Sequence, residues 1–242
     1  NPYKGLRAFR ATDRRDFFGR DTLINELLNR LQSDRETSRF LAVVGASGSG
    51  KSSAIMAGLI PTLQEGALHD SETWRYLEPM VPGNAPLENL MIALSSVFPR
   101  KSQSAILDDL ENPNTRGLHN LARQATNQSH VVLYIDQFEE LFTLTSSEDE
   151  RRHFIDIITT AATEPNGKLI LIVSIRADFY DRPLEYNTLG NLMKANTATV
   201  LPMTLADLYD VIEKQASLDY VQVTYEDGLV SEILFAVRDE VG

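Results

Sequence analysis

Cysteine is absent from the 242 residues, which excludes disulfide bonds and any thiolate metal site. The four histidines, His69, His119, His130 and His153, stand apart without ligand spacing and are expected to be surface or structural residues. Long apolar runs are missing too. No stretch approaches the roughly 20 residues needed to cross a bilayer, and no signal-peptide pattern occurs, so a cytoplasmic protein is the economical reading. Positive charge is scarce: 23 Lys and Arg stand against 34 Asp and Glu, for a net charge of −11. That balance argues against a dedicated nucleic-acid binder, whose domain usually carries a basic face. One basic stretch, Arg7, Arg10, Arg14, Arg15 and Arg20, interrupts the acidic background and reads as a solvated or interface segment, with phosphate contact as the alternative. There is no internal repeat and no low-complexity tract. With 43% apolar residues the chain can bury a full core, as one large α/β domain or one domain plus part of a second. It opens at Asn1-Pro2 without a methionine and stops at Val241-Gly242 after a helical pattern, so it is expected to be a piece of a longer protein.

What is present is a phosphate-binding signature. Gly45, Ala46, Ser47, Gly48, Ser49, Gly50, Lys51 and Ser52, with Ser53 following, fit G-x-x-x-x-G-K-[S/T] directly after the apolar run 40–44. The glycines let the backbone curl so that several N–H groups point into one concavity, and the helix beginning near Lys51 adds its partial positive charge. Lys51 is expected to reach the β- and γ-phosphates of a nucleotide, and the Ser52 hydroxyl to ligate Mg²⁺.

The surrounding pattern supplies the context that the signature needs. Residues 21–32 carry Leu23, Ile24, Leu27, Leu28 and Leu31 on one helical face. Strands are expected at 40–44, 74–81, 131–135, 169–173 and 197–201, and the continuous apolar runs suit a parallel sheet buried on both faces. Helices are expected from the phosphate loop to about residue 63, over 87–97, 104–110 and 115–125, and after the Ser147/Glu150 capping-box pattern. Beyond Pro202 the pattern is wholly helical. Thr204 and Asp207 can cap a helix bearing Leu205, Leu208, Val211 and Ile212, and a further helix carries Leu229, Val230, Ile233, Leu234 and Val237. Strands alternating with helices and then a helical tail indicate a parallel α/β core followed by the start of a helical lid.

Asp136 ends the run 131–135, where a Walker B aspartate should sit, and can hold Mg²⁺ through water opposite Ser52. The 85 positions from Lys51 to Asp136 leave room for one intervening strand and its helices. Gln137 is no base. Glu139 and Glu140 follow, and neighbouring residues on a helix point about 100° apart, so at most one can face the nucleotide; Glu139 is favoured. Arg176, after the run 169–173, either reads the γ-phosphate or pairs with Asp178 or Asp181.

These residues together resemble a known family. Phe17-Phe18-Gly19-Arg20-Asp21 looks like the "hhGRE" segment of STAND-class NTPases, and the run from Tyr134 through Asp136, Glu139 and Glu140 to Phe142 is similar to the Walker B segment of the novel STAND NTPase family of bacteria. The opening Asn1–Phe9, Arg176-Ala-Asp-Phe179 and Leu201-Pro202-Met203 match it as well. The acidic pair after Asp136 also resembles the NACHT arrangement. The resemblance implies a three-layer P-loop NTPase core of AAA+-like type with strand order 5-1-4-3-2, residues 1–202, and a lid beginning at 203–242. It implies ATP or ADP with Mg²⁺, and a switch role in a larger signalling or defence protein with flanking effector and repeat sensor domains. Phe18, Gly19 and Arg20 would lie near the adenine and ribose, Arg176 would be sensor 1, and Pro202 would border the base. The Gly-Leu-Pro-Leu-like lid motif and winged helix of related proteins do not occur here.

The leading expectation is thus a slowly hydrolysing ATP switch, closed with ADP and able to self-associate with ATP. An AAA+ ATPase acting on nucleic acid, which the acidic balance disfavours, and a small-molecule kinase, for which no acceptor pocket or lid arginine cluster is evident, are the alternatives, with a nucleotide-dead structural protein as the blandest. A GTPase is disfavoured because no [N/T]-K-x-D motif follows the phosphate loop.

Overall fold

Five stretches of the chain are strands in the computed structural model, which describes residues 4, 5, 7–32, 39–126 and 129–240, with side chains as far as 236. They are β1 (Phe40–Gly45), β2 (Arg75–Tyr76), β3 (Val131–Ile135), β4 (Leu169–Arg176) and β5 (Thr197–Thr199). All pair in parallel in the order β2-β3-β4-β1-β5, which is the expected 5-1-4-3-2 read from the opposite edge. β1 and β3 are buried at every position and β4 at all but Arg176, as apolar runs inside a two-sided sheet require.

Alternation along the strands divides the core into two layers. Phe40, Ala42, Leu133, Ile135, Leu171 and Val173 face one layer, covered by the helices Pro86–Ser95, Gln103–Leu110, Gly117–Ala125, Glu148–Thr163 and Asn187–Ala195. Leu41, Val43, Val132, Tyr134 and Ile172 face the other, covered by the helix Asp21–Gln32 and the helix over 51–64 that leaves the phosphate loop. That second helix begins as Lys51–Ser53, passes through a π-helical stretch at Ala54–Leu59 and closes as Ile60–Gln64.

The second strand is much shorter than the expected 74–81, for a backbone reason. Arg75 N donates to His130 O and Leu77 N to Val132 O, so residue 79 is next in line to donate to Tyr134 O. Residue 79 is proline and has no N–H. Met80 N takes that carbonyl instead, at 3.0 Å, which leaves a two-residue strand and an isolated bridge between Met80 and Ile135. β5 likewise stops at Thr199 rather than 201, its last sheet contact being Val200 N to Val44 O.

Capping is close to expectation. Ser147 accepts from Glu150 N at the head of Glu148–Thr163, and Thr204 and Asp207 form a full capping box at the head of Leu205–Ala216. A last helix follows at Leu229–Glu240. Ahead of the sheet, a 3-10 helix at Ala11–Asp16 lies along the helix over 51–64. Phe9 N donates to Ser53 Oγ, and Arg14 donates to Gly58 O and Thr62 Oγ1 and pairs with Glu65. No helix among the described residues is long and apolar enough to cross a membrane.

Candidate functional site

Strand register gathers the site at one edge of the sheet. Gly45, the last residue of β1, lies beside Arg176, the last of β4, and Ile135 lies beside Val173, so Asp136 emerges next to Ser174. The loop after β1 turns through left-handed backbone at Gly48 (φ 74°) and Gly50 (φ 87°), a conformation that glycine adopts without a Cβ penalty. Lys51 is 9% exposed, and its Nζ donates to Gly45 O at 2.9 Å and Ala46 O at 2.8 Å, which holds the ammonium at the mouth of the loop with one proton to spare. Burial lowers its pKa, opposed by the carboxylates of Glu139 and Asp136. The Ser49 hydroxyl is buried and has no hydrogen-bond partner among the described residues. An unpartnered hydroxyl inside a loop of left-handed glycines fits an anion cradle better than a bare turn.

Asp136 is the hub of the site. Its Oδ1 accepts from Ser52 Oγ at 2.8 Å, from Tyr134 OH at 2.7 Å, from Gln137 N at 3.0 Å and from Ser174 Oγ. The Ser52 hydroxyl and the Asp136 carboxylate are hard oxygen donors brought together across 84 positions of sequence, which suits a magnesium ion. Gln137, whose φ is +50°, carries the left-handed turn that swings the chain away from β3. Tyr134, which opens the run resembling a Walker B segment, and Ser174 were given no role from sequence, although a signal existed. Position 134 shares a strand face with 136, and Ser174 is a lone hydroxyl inside an otherwise apolar strand run.

Of the two glutamates, Glu139 lies against the end of β4, where its Oε2 accepts from Arg176 N at 3.2 Å. Glu140 opens the short helix Glu140–Thr143, and burial together with the charges of Glu139 and Asp136 raises its pKa above the usual carboxylate range. Arg176 forms a bidentate pair with Asp178, at 3.0 Å and 2.6 Å, and lies over the Phe179 ring. Its ion pair is thus with Asp178 rather than Asp181.

The segment before the first helix forms the opposite wall. Arg20 donates to Ser49 O of the phosphate loop and to Leu201 O beside Pro202, each at 2.8 Å. Burial lowers its pKa, offset by Asp207. Gly19 has φ +75°, and a Cβ there would stand 2.7 Å from both Asp207 O and Val211 Cγ2 of the helix Leu205–Ala216. Gln215 Nε2 donates to Asp16 O at 2.9 Å, and Tyr220 OH bonds Asp16 Oδ1. Phe18 is partly buried within this wall, whereas Pro202 is exposed. Phe17 packs on Phe9 at 5.7 Å. The beginning of the resembling stretch, Asn1, Pro2, Tyr3 and Leu6, lies outside the described residues.

The basic stretch is divided between roles. Arg14 and Arg20 are tied down as described, whereas Arg7 and Arg10 line a cavity of about 990 Å³ beside the site. Its wall runs from Lys4 past Met56 and Ile60 to Glu78 and ends at Asp136 and Gln137. Cations and carboxylates are balanced there, and Lys4 is paired with Asp13. The histidines take other places. His153 Nε2 bonds Leu110 O, and His130 packs edge-on against Trp74. No group of three or more potential metal-ligating side chains occurs among the described residues.

A glycine loop, lysine and serine at the end of one parallel strand, facing an acid at the end of another, define a P-loop nucleotide-binding domain of AAA+-like fold. The chain belongs to the novel STAND NTPase 1 family, whose model matches residues 2–242. Among solved structures it is similar to the ORC2 protein of Aeropyrum pernix, determined in ADPNP–ADP complexes, with a TM-score of 0.53 and 16% identity. That match covers 89% of this chain and 54% of the other, so the chain spans about half the length of its structural relative. At this identity the likeness concerns the fold. No curated protein matches the chain.

Proposed function

We propose that this domain binds ATP with Mg²⁺, hydrolyses it slowly, and uses the difference between ATP and ADP to set the position of residues 203–242, which act as the beginning of a lid. The observation that carries this reading is the Ser52–Asp136 contact at 2.8 Å beside Lys51, because those three groups are what a triphosphate and its metal require. Gly45 to Ser53 would wrap the phosphates, Ser52 and Asp136 would hold the metal, and Glu139 would orient and deprotonate the attacking water. A metal held there would supply charge neutralisation on the phosphates.

The link to the lid runs through Arg20. Its guanidinium bridges the phosphate loop and the chain just before Pro202, so phosphates in the loop and a base near Phe18, Gly19 and Pro202 bear directly on the hinge. Arg176 supports a sensor role, since exchanging its Asp178 partner for a γ-phosphate would link hydrolysis to the end of β4. Moving a two-state equilibrium from 1:99 to 99:1 takes about 5.5 kcal/mol of differential binding, and a γ-phosphate beside Lys51, a metal and Arg176 is of the right kind to supply much of it. Exposed Leu205, Tyr209 and Phe235 on the last two helices support self-association in the ATP state, within a larger signalling or defence protein. The acidic chain and the charge-balanced cavity favour neither nucleic acid nor a phosphoryl acceptor.

The assignment is tested by titrating ATP into Lys51→Ala and Asp136→Asn. Both are expected to lose Mg²⁺-dependent ATP binding; wild-type affinity in both would overturn the assignment.

A further inference from the structure

We infer that Tyr134 and Ser174 are positioning residues for the metal-holding acid: they commit one oxygen of Asp136 to the protein and so turn the other towards the metal. This rests on the nucleotide reading above and goes beyond it, because that reading gives neither residue a role.

Tyr134 is fully buried in the core layer beneath the helix over 51–64, among Leu41, Val43, Val132 and Ile172. A phenylalanine would fill that volume without a hydroxyl to satisfy, and a buried hydroxyl left unpaired is unfavourable. The Tyr134 hydroxyl has two partners among the described residues, Asp136 Oδ1 and Ser174 Oγ at 3.1 Å. Ser174, 1% exposed in a run of Leu, Ile and Val, spends its hydroxyl on the same oxygen. Two polar atoms are thus placed in an apolar sheet, and both serve one carboxylate.

Geometry then says what they do to it. Every hydrogen bond to Asp136 among the described residues falls on Oδ1: Ser52, Tyr134, Gln137 N and Ser174. Four donors on one oxygen fix the rotation of the carboxylate about its last bond. Oδ2 receives no protein donor among the described residues, which leaves it as the oxygen that can meet a metal. The Gln137 contact also accompanies the left-handed turn at that residue, a conformation that a non-glycine side chain adopts at a cost. Ser174 has a second link. Its carbonyl accepts from Phe138 N at 2.8 Å, which ties the segment carrying Asp136 and Glu139 to the strand that ends at Arg176.

The test is the Mg²⁺ dependence of ATP binding, measured by calorimetry on Tyr134→Phe, Ser174→Ala and the double variant, each titrated across Mg²⁺ concentrations and again in excess EDTA. Removal of partners that orient a metal-holding group characteristically weakens metal affinity about 10- to 100-fold. Each single variant is expected to shift the Mg²⁺ midpoint by about 10-fold or more. The double is expected to be no worse than the worse single, because both hydroxyls act on one oxygen. ATP binding in EDTA is expected to be unchanged, since the loop and Lys51 are untouched. Wild-type Mg²⁺ midpoints in both singles overturn the inference, and so does an equal loss of ATP binding with and without Mg²⁺, which would show a packing role. A wild-type chain that binds no ATP overturns the nucleotide reading instead. If Tyr134→Phe does not fold, Ser174→Ala carries the same comparison.

Discussion

At Glu139 and Glu140 two carboxylates stand side by side in different surroundings. Glu139 touches the backbone of Arg176, at the strand edge where Gly45 and Asp136 also converge. Glu140 lies at the start of a short helix, with its proton held more tightly by burial and by its two acidic neighbours. Contact with the strand edge beside Gly45 and Asp136 is what favours Glu139 as the proposed base. Glu139→Gln is expected to bind ATP like the wild type while phosphate release falls by about 100-fold or more, the range that a general base contributes. Equal loss in Glu140→Gln alone would move the role by one residue. The same scale governs the acid sensitivity of the fold. Asp13, hydrogen-bonded by Lys4, and Asp207, hydrogen-bonded by Thr204, are both held below the ordinary 3.8. The folded chain therefore binds those protons less tightly than the unfolded one. Their stabilising effect is present above about pH 3.8 and is lost as pH falls through the lowered values. Melting temperatures across that range are expected to rise less steeply with pH in Asp207→Asn than in the wild type.

Between elements, Gly19 packs closely against the helix Leu205–Ala216. Gly19→Ala puts a methyl group into Asp207 O and Val211 on a backbone that already has φ +75°. It is expected to loosen that helix from the segment before the sheet, seen as faster limited proteolysis within 203–228 while the sheet stays protected. Thr204→Ala, which removes the cap of the same helix, is expected to cost about 1 kcal/mol. Elements were also where sequence was most and least informative. The runs at 40–44, 131–135 and 169–173 announced buried parallel strands because every position in them is apolar, or a tyrosine whose hydroxyl finds a partner. The stretch 74–81 looked like one strand because its side chains suit a sheet, and Pro79 broke it by removing a single N–H. The candidate site divides in the same way. The phosphate loop and Asp136 lie in contiguous patterns and were legible. Tyr134 and Ser174 act across two strands, and the link of Arg20 to Ser49 and Leu201 joins three distant segments, so the register of the folded chain was needed to bring them together.

Across the whole molecule, the helices after β5 meet the segment 16–20 ahead of the first helix. Asp16 and Gly19 meet them, and Arg20 holds both Leu201 just ahead of them and the phosphate loop. On the proposed reading, a nucleotide in the loop would act on the same residues that meet these helices, which is what a switch requires: two sites sharing one bistable contact. Reciprocity follows. Arg20→Ala, which cuts the bridge, is expected to leave a lid whose exchange behaviour no longer depends on which nucleotide is bound. The most direct measurement is hydrogen–deuterium exchange of the helix Leu205–Ala216 in the wild-type chain, compared between saturating Mg·ADP and a saturating non-hydrolysable Mg·ATP analogue. Slower exchange in the ADP state than in the ATP-analogue state, by about 10-fold or more, is the expected result. Identical exchange with both nucleotides bound would contradict the switch.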